Sequence, residues 1–498
     1  MTTVYHFYLQ STRSGGSGVA AAILAVILIW PLTAFGAPGL EDAAITLAVE
    51  RQLAYDRTAS FYGVDVSTRQ GIVTLSGTVD NLRTRNRAAD RSMTVKGVRS
   101  VINDIEVTPV VRTDREIQQD IRAALAEDPA TESYEIEVMV REAQVILTGR
   151  VDSWYEKQLA QSVTEGVRGV ENVVNRIDLD LNTHRSDTEI AAEIRSRLTW
   201  DAWIDDALIE IQVADGRVSL TGTVGSLAEK RRAHEDAWVT GVVAVDDQAL
   251  KIDWTQREEM RRSMAHRRLS DEKVRQALES AFSYDPRVSA HPIEIRVENG
   301  TATLSGMVDN LKARRAALED ARHTVGVWLV RNHLKVRPTL GPYRRPVPDA
   351  DGELARKVRR ALLRDPVIEQ HEISVTVNNY AVRLEGRVDD RSEKASAEDV
   401  ASRVHGVVRV FNDVRVNQSW DVRPDWEIEM QIEEELNWSP FVDADRVAVA
   451  VSDGTATLTG VVEDLRERRV ATENAYEGGA RRVRNQLKVR YGPQQLRP

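Results

Sequence analysis

The chain has 498 residues, of which 42% are hydrophobic and 29% are charged, a composition typical of globular proteins rather than disordered or fully membrane-embedded ones. It has no cysteine, which excludes disulfide frameworks, thiolate catalysis and cysteine-ligated metal sites. Its formal net charge of −10 argues against a nucleic-acid partner, for which a basic patch or stripe is the expected signature.

The first element in chain order is an apolar leader, residues 1–37. Its uninterrupted hydrophobic stretch, residues 19–30, is shorter than the roughly 20 residues of a membrane-spanning helix and falls within the roughly 7–15 of a signal-peptide core. Ala34 and Gly36 are small residues at the positions that a cleavage after Gly36 requires. We therefore favour a cleaved signal peptide over an uncleaved membrane anchor, and we expect the rest of the chain outside the cytoplasm.

After the leader, one unit occurs six times. Each copy contains the pattern Leu-x-Gly-x-Val, and a second glycine follows the first after 19 or 20 residues. The pattern glycines are Gly77, Gly149, Gly222, Gly306, Gly386 and Gly460, and the second glycines are Gly97, Gly169, Gly241, Gly326, Gly406 and Gly479. Six occurrences with a paired glycine indicate an internal repeat.

The spacing of these glycines sets the domain boundaries. The predicted repeats are residues 40–109, 113–182, 187–254, 270–337, 351–418 and 424–491. A basic linker, residues 255–269, separates repeats 3 and 4, and a Pro-rich linker, residues 338–350, separates repeats 4 and 5. Because Pro-rich segments are stiff and extended, we expect a string of units with a hinge at the second linker.

The elements of each copy follow from hydrophobic periodicity. An amphipathic helix opens the unit, and a strand with strict alternation follows it. A tight turn such as Asp215-Gly216 leads into Leu-x-Gly-x-Val, the returning strand, whose glycine we attribute to the close approach of a packed helix. A second helix runs between the glycines and ends at the second glycine, which we predict to be its left-handed C-cap.

A third strand completes the unit, so the predicted fold class is α+β. It consists of six tandem αββαβ units of about 70 residues, each a three-stranded mixed sheet with two helices on one face. An Asn recurs six residues after the second glycine, as in Asn103, and we interpret it as an amide that satisfies backbone groups rather than as a ligand contact.

This element order, the length of the unit and its single Leu-x-Gly-x-Val glycine resemble the BON domain, named for bacterial osmotically inducible periplasmic proteins and nodulation proteins. The likeness covers essentially everything after residue 40. It implies a non-catalytic module of the bacterial envelope, in the periplasm or associated with the outer envelope. It also implies phospholipid binding and a contribution to envelope integrity under osmotic stress.

The sequence gives no sign of catalysis. The nine histidines neither recur in each copy nor gather in one deviant copy, and the paired carboxylates lie in helical or linker patterns typical of solvated faces. We therefore predict no catalytic residue, no cofactor-binding residue and no metal ligand, and we expect that the protein is not an enzyme.

Basic residues open the second helix in several copies, where they oppose the helix dipole. They are candidate contacts to lipid phosphate, although a solvated face balanced by nearby acids explains them equally well. The basic candidates are Arg83, Arg85, Arg87, Lys230, Arg231, Arg232, Lys312, Arg314, Arg315, Arg466, Arg468 and Arg469. Trp200, Trp203 and Trp438 at the ends of first helices are aromatic candidates, with core packing the more common use of such residues.

Two functions remain open from the sequence. The first is an exported envelope protein that binds phospholipid surfaces through several weak contacts on one chain, with phospholipid or another envelope component as its partner. The second is a structural scaffold that assembles into a rod, homo-oligomer or filament through contacts between repeats. Exposure of the basic and aromatic candidates favours the first function, and their burial between repeats favours the second.

Overall fold

The structure is a computed structural model that describes residues 40–490 except for residues 55, 57–58, 60, 129–130, 132–134, 181–184, 257–259, 261–268, 290, 338–349, 369–372, 390, 418–422 and 464. The leader therefore lies outside the described residues, as do nearly all of the Pro-rich linker and most of the basic linker. The predictions for these segments stay predictions.

In the described part of the chain, each repeat has two α-helices. In chain order they are α1 (Asp42–Ala54), α2 (Leu82–Met93), α3 (Asp114–Glu127), α4 (Trp154–Glu165), α5 (Asp187–Trp200), α6 (Leu227–Asp236), α7 (Asp271–Tyr284), α8 (Leu311–His323), α9 (Ala350–Arg364), α10 (Arg391–Arg403), α11 (Asp425–Trp438) and α12 (Leu465–Glu477).

The strands repeat with the same order. They are β1 (Val64–Arg69), β2 (Ile72–Val79), β3 (Ser100–Val107), β4 (Ile136–Arg141), β5 (Gln144–Val151), β6 (Asn172–Leu179), β7 (Ile209–Ala214), β8 (Arg217–Val224), β9 (Ala244–Asp246), β10 (Leu250–Ile252), β11 (Ile293–Glu298), β12 (Thr301–Val308), β13 (Leu329–Asn332), β14 (Lys335–Val336), β15 (Ile373–Asn378), β16 (Ala381–Val388), β17 (Arg409–Val416), β18 (Val447–Ser452), β19 (Thr455–Val462), β20 (Arg482–Asn485) and β21 (Lys488–Val489).

Each repeat forms its own mixed sheet, and the predicted fold class is confirmed. The first and second strands pair antiparallel, and the third strand, divided into two segments in repeats 3, 4 and 6, pairs parallel to the second. The Leu-x-Gly-x-Val strand is therefore the central strand. Each repeat has one hydrophobic core, built from its two helices and the inner face of its sheet.

The helices begin where the sequence supplies caps. The Thr113 side chain accepts the Glu116 N–H while Glu116 bonds back to the N–H of Thr113, and Ser186 and Glu189 form the same reciprocal pair. Second helices begin at Asn81 or its equivalents Ser153, Ser226 and Asn310, whose side chains each accept an N–H three residues on. These bonds satisfy N–H groups that have no partner within the helix.

One aspartate at the start of each first helix fixes the hairpin turn. The carboxylate of Asp42 accepts the N–H groups of Gln70 and Gly71 at 2.7 and 2.9 Å. The equivalent carboxylates are those of Asp114, Asp187, Asp271, Asp351 and Asp425, and each accepts two turn N–H groups. Because this bond pattern occurs in all six copies, the turn between the first two strands is anchored by a helix that precedes it.

The pattern glycine has a different cause from the one predicted. In repeats 1, 2, 3, 4 and 6 a Cβ added at this glycine would lie 1.8–2.6 Å from the carbonyl oxygen of the residue before the first strand. The close neighbour is thus the adjacent strand and not a packed helix. The φ values of 108–143° at these six glycines also lie in the region that favours glycine.

The second glycine is left-handed as predicted, with φ between 86° and 105° in the six copies. Its predicted role as the helix C-cap is wrong in repeats 1 to 4, because the caps there are Thr94, Gly166, Ala237 and Thr324, two to four residues earlier. A Cβ at Gly97 would lie 3.0 Å from the Ile45 side chain. The glycine therefore lets the turn pack against the first helix.

The recurring Asn connects the third strand to the second helix. Asn103 Nδ2 donates to the Arg85 carbonyl at 2.9 Å, and Asn175, Asn332, Asn412 and Asn485 make the same bond. In repeat 3 the equivalent residue is Asp247, whose side chain has no N–H to donate. Its Oδ2 atom lies 3.2 Å from Nδ1 of His234 instead. This geometry fits the backbone-satisfying role predicted from the sequence.

The repeats also contact one another, and most of these contacts join repeats that are not neighbours in the chain. The residue before the second glycine donates its N–H to the carbonyl at the end of a first helix in three pairs, Lys96 to Trp438, Arg168 to Arg364 and Val325 to Trp200, at 2.7–2.9 Å. These bonds join repeat 1 to repeat 6, repeat 2 to repeat 5 and repeat 3 to repeat 4. The expected string of units is therefore wrong, and repeats on the two sides of the Pro-rich linker contact each other.

Candidate functional site

The first basic residue of the second helix forms an ion pair with another repeat. Arg83 of repeat 1 lies 2.7 Å from the Asp365 carboxylate of repeat 5, and Arg466 of repeat 6 lies 2.9 Å from Asp205 of repeat 3. Lys312 of repeat 4 pairs with Asp128 of repeat 2. The Arg466 side chain is only 8% exposed. Three equivalent positions thus join repeats that are not neighbours in the chain.

The basic residue two positions further along contacts its own third strand. Arg85 donates to the Asn103 carbonyl at 3.1 Å, Lys230 to the Leu250 carbonyl at 2.9 Å, and Arg468 to the Asn485 carbonyl at 3.3 Å. The equivalent Arg314 is half-buried, and its backbone carbonyl accepts the Asn332 amide. These side chains lie over the third strand, the edge strand that pairs parallel to the central strand, on the side of the sheet that the helices cover.

The remaining basic candidates also lie on the second helices, and each of them has a partner. Arg87 and Arg232 pair with the carboxylates of Asp56 and Asp201, which follow the first helices of their own repeats. The other three contact different repeats: Arg231 pairs with Asp90, Arg315 bonds Ser402 and lies 3.2 Å from Glu398, and Arg469 donates to the Arg322 carbonyl.

The three tryptophan candidates lie between repeats. Trp200 packs against the core of repeat 4, and Trp438 packs against the core of repeat 1. The Trp203 ring meets Phe441 of repeat 6 edge-on at 5.4 Å between centroids, and the Arg469 guanidinium lies 4.9 Å above it. These rings are half-buried at repeat contacts.

A second set of basic residues lies on the outer face of the sheets, away from the helices. In repeat 6 the third strand and the residue after it expose Arg482, Arg484, Lys488 and Arg490. In repeat 4 the third strand and the residue after it expose Arg331, His333, Lys335 and Arg337, where His333 corresponds to Gln486 of repeat 6. We call these outward-facing residues of the third strands the third-strand rows.

The row of repeat 5 includes an aromatic ring. Phe411 is 39% exposed, and the guanidinium groups of Arg383 and Arg409 lie 5.1 and 5.7 Å from its centroid. Arg387 and Arg415 are exposed on the same two strands, which pair in register. Asp413, paired with Arg383, and Glu385 are the acidic members of this face.

The rows of repeats 1 to 3 carry the opposite or no net charge. Repeat 1 exposes Ile102, Asp104 and Glu106, and repeat 2 exposes Arg176 and Asp178. Among the third strands, exposed basic side chains are therefore concentrated in repeats 4 to 6. This local excess exists in a chain whose formal net charge is −10.

Sequence reasoning missed the third-strand rows, although the signal was present. The segments RNHLKVR (331–337) and RNQLKVR (484–490) alternate basic and apolar residues with period two, as expected for one exposed and one buried face. The cluster at the helix starts was more conspicuous because its basic residues are consecutive.

Burial at the repeat contacts shifts several carboxyl pKa values. Desolvation, followed by the charge of Asp205, raises the pKa of Glu229 to about 7, against two backbone hydrogen bonds and Arg466. Desolvation, followed by the charge of Glu477, raises the pKa of Glu435 to about 7, against Arg91. Glu435 accepts a 2.6 Å bond from Gln52 of repeat 1, so this group lies inside the contact of repeats 1 and 6.

The described residues contain no group of three or more His, Asp or Glu side chains that could hold a metal ion. Among them there is also no helix that combines the length and the hydropathy needed to span a bilayer.

The fold and its surfaces define a tandem-repeat protein of αββαβ units, and the comparison with known families agrees. The BON domain family matches residues 41–109, 113–180, 186–252, 270–338, 350–418 and 424–491. Osmotically-inducible protein Y of Escherichia coli K12 is 30% identical over 139 residues, which cover 26% of this chain and 69% of that protein. The chain belongs to the BON-domain family, which confirms the resemblance noted in the sequence.

Two solved structures of CdsD, a structural protein of the type III secretion system of Chlamydia trachomatis, also show a likeness. Both are 14% identical over 42% of this chain, and they are covered to 90% and 96% of their own length, the second being the C-terminal domain of that protein. The TM-score is 0.12 in both cases, so these likenesses carry no argument about this chain.

Proposed function

We propose that this chain is a non-catalytic, exported envelope protein that binds anionic phospholipid surfaces through the third-strand rows of repeats 4 to 6. Its role is to support envelope integrity under osmotic stress. Membership of the BON-domain family and the likeness to a protein named for osmotic induction support the cellular part of this proposal. The exposed basic rows support the lipid-binding part, and they are the observation that carries it.

The rows have the chemistry that a phosphate-rich surface requires. Their cationic groups stand on a sheet face that points away from the cores, and basic residues near an anionic bilayer contribute about 1 kcal/mol each. In repeat 5, Phe411 adds an exposed ring between two guanidinium groups, an amphipathic combination suited to the headgroup region.

The proposal assigns the lipid contact to the strands rather than to the helix starts predicted from the sequence. Arg83, Lys312 and Arg466 have carboxylate partners in other repeats, and a lipid phosphate would have to replace those partners. Replacing a partner inside a half-buried contact leaves a carboxylate uncompensated, which is costly. Contact through the helix starts remains a prediction with less geometric support.

Several rows that each bind weakly can together bind tightly when they stand on one chain. After the first row has bound, the contacts of the other rows are intramolecular and therefore have a high effective concentration. The negative net charge confines attraction to the rows, and salt at physiological concentration screens charges beyond about 8 Å. The binding we propose is therefore local and sensitive to salt.

The helix-start residues and tryptophans lie between repeats, as the scaffold alternative expects, but these contacts are within one chain. The surfaces that would join different chains, the helix ends and their aromatic residues, are used within one chain to join its own repeats. A chain that satisfies these contacts internally has fewer left for polymerisation.

Co-sedimentation with vesicles tests the proposal. The chain from Ala37 onward, which includes the unit Leu40–Pro498, is mixed with vesicles of phosphatidylglycerol and phosphatidylethanolamine, or of phosphatidylcholine alone, over a salt series. We expect binding only to the anionic vesicles, weakening as salt rises. Replacing Arg482, Arg484, Lys488 and Arg490 with Gln should reduce the affinity at least about tenfold.

The matched control replaces four exposed basic residues on the outer faces of repeats 1 to 3, Arg69, Arg141, Arg150 and Arg217, with Gln. It changes the net charge by the same amount and should reduce the affinity by less than about twofold. Equal losses in the two variants, or no binding of the unchanged chain to anionic vesicles at low salt, would overturn the proposal.

A further inference from the structure

A pocket of about 460 Å³ lies where repeats 2, 3 and 4 meet. Its walls come from α4 in repeat 2, from α5 and α6 in repeat 3, and from α7 and α8 in repeat 4. Its volume falls in the range of small-molecule sites, about 300–1,000 Å³. The pocket is on the helix side, away from the third-strand rows, so it has no part in the function proposed above.

The pocket is lined by more carboxyl groups than guanidinium groups. Six carboxyl groups line it: Asp201, Glu235, Asp236, Asp285, Glu319 and Asp320. Three guanidinium groups face them, and each lies near a carboxylate: Arg232 is 2.6 Å from Asp201, Arg287 is 2.6 Å from Asp285, and Arg197 is 3.6 Å from Asp236 Oδ1. After these pairings the pocket still has more acid than base.

Two carboxylate oxygens in the pocket accept no N–H group of the chain. They are Oδ2 of Asp236 and Oδ2 of Asp320; both atoms are buried, and the Asp236 residue is only 7% exposed. The two carboxyl groups lie in hydrogen-bond contact with the carboxyl groups of Asp201 and Asp285, a contact that holds only while one carboxyl of each pair keeps its proton. Asp236 and Asp320 occupy equivalent places, ten positions after the N-caps Ser226 and Asn310. A buried acceptor without a donor is destabilising, so both atoms would gain from a ligand that donates N–H groups.

The rest of the lining combines polar side chains such as Gln158 and Ser280 with apolar and aromatic ones. Trp200, Tyr284 and Leu159 contribute to it, together with Ala277 and Ala281. The Arg197 guanidinium stacks on Tyr155 and Tyr284, at 5.2 and 4.5 Å from the ring centroids, which keeps the rings in place. Such walls suit methylene groups, whereas the carboxylates suit a positive charge.

We propose that this pocket binds a small organic ammonium ion, which donates N–H groups to Asp236 and Asp320 and lays its alkyl part against the aromatic walls. A bare divalent cation fits less well, because the described residues offer no group of three side chains that could hold a metal ion. An anionic ligand would meet the excess of carboxylates.

The protonation of the carboxyl groups gives this site a pH dependence. Desolvation and the nearby Asp201 raise the pKa of Asp236 to about 7 against Arg197 and Arg232, and desolvation and Asp285 raise the pKa of Asp320 well above its usual value. A bound cation favours the ionised forms, so its affinity should rise as the pH increases through 7. The other groups that face these carboxyls are Tyr155 on α4, Glu235 on α6, and Tyr284, Arg287, Glu319 and His323 of repeat 4.

Isothermal titration of the chain from Ala37 onward with putrescine, a four-carbon diamine, tests the site, and the uncharged butanediol of the same length is the ligand control. We expect saturable heat with putrescine and none with butanediol. The affinity for putrescine should be at least about threefold higher at pH 8 than at pH 6. Absence of saturable heat at both pH values would overturn the proposal.

The variant Asp236→Asn with Asp320→Asn should lower the affinity for putrescine at least about tenfold and remove its pH dependence. Because Asn resembles the protonated carboxyl in shape, the variant should keep the thermal midpoint of the unchanged chain, and the single variant Asp320→Asn serves if the double one does not fold. The matched control is Asp104→Asn with Asp246→Asn, two exposed aspartates on outer faces. Full affinity in the pocket variants, or an equal loss in the control, would contradict the site.

Discussion

Repeat 6 carries arginines on both sides of its sheet, and their environments differ. Arg466, on the helix side, is 8% exposed and lies 2.9 Å from Asp205 of repeat 3. Arg484, on the outer side, is exposed on β20. One guanidinium holds two repeats together, whereas the other is displayed to solvent.

The comparison shows that the role of a basic residue in this sequence depends on which side of the sheet its side chain occupies. Basic residues at the helix starts face other repeats, because the helices are the surfaces through which the repeats pack. Basic residues of the third strands face outward, because alternate positions of a strand point to opposite faces. Stability should therefore depend on the first set and surface binding on the second.

The largest expected effect is on stability. Arg466→Met should lower the free energy of unfolding by about 2–4 kcal/mol, because it removes the cation from a buried contact and leaves Asp205 uncompensated. Arg484→Met, its control on the outer face, should change this quantity by less than about 0.5 kcal/mol. Urea midpoints of the two variants compare them, and equal midpoints would remove the distinction between the two sides.

A smaller effect should appear when a row is transferred. Ile102→Arg, Asp104→Arg and Glu106→Lys give repeat 1 a basic row at the register of the row in repeat 4. Binding to anionic vesicles should strengthen about tenfold, since basic residues near such a surface contribute about 1 kcal/mol each and part of this is lost to screening. The salt series described above measures it. Unchanged binding would mean that the row alone is not the contact.

A third effect of similar size depends on pH and concerns a buried acid on the helix side. The pKa of Glu435 is raised to about 7, chiefly by desolvation, so its stabilising contribution is complete below its usual value of 4.5 and is lost as the pH rises through 7. Glu435→Gln should therefore match the unchanged chain near pH 5 and exceed it in stability by about 1–2 kcal/mol at pH 8.

The exposed Glu385→Gln on the outer face of repeat 5 is the control for this change. It should leave the difference in urea midpoint between pH 5 and pH 8 as it is in the unchanged chain. A Glu435→Gln variant with the same difference would show that this carboxyl stays ionised in the contact.

The fold of one repeat could be predicted because its signals are local. Alternation in Val447, Val449 and Val451, the turn at Asp453-Gly454 and the cap at Ser186 each depend on neighbours in the chain. The reason for the pattern glycine could not be predicted from the sequence. The Leu208 carbonyl approaches Gly222 because two strands pair, and no periodicity in the sequence indicates that approach. The six helix-start aspartates were visible as a recurring residue, but their bonds to a turn 28 residues away were not.

The arrangement of the repeats lay beyond sequence reasoning for a related reason. Arg83 and Asp365 are 282 residues apart, and nothing in either segment marks the other as a partner. The helix-start cations therefore looked like a lipid surface, and the pocket between repeats 2, 3 and 4 had no linear signature. Only the packing of helices from three repeats brings Asp236 and Asp320 into one pocket.

The bond from Lys96 to the Trp438 carbonyl also bears on how such a chain can evolve. In an open solenoid the end units have a free stacking face, and units can be gained or lost there by duplication or deletion. Here repeats 1 and 6 contact each other, so the contact couples two units that lie far apart in the chain. Duplication or loss of a unit between them would have to preserve that contact, whereas substitution within a unit leaves it in place.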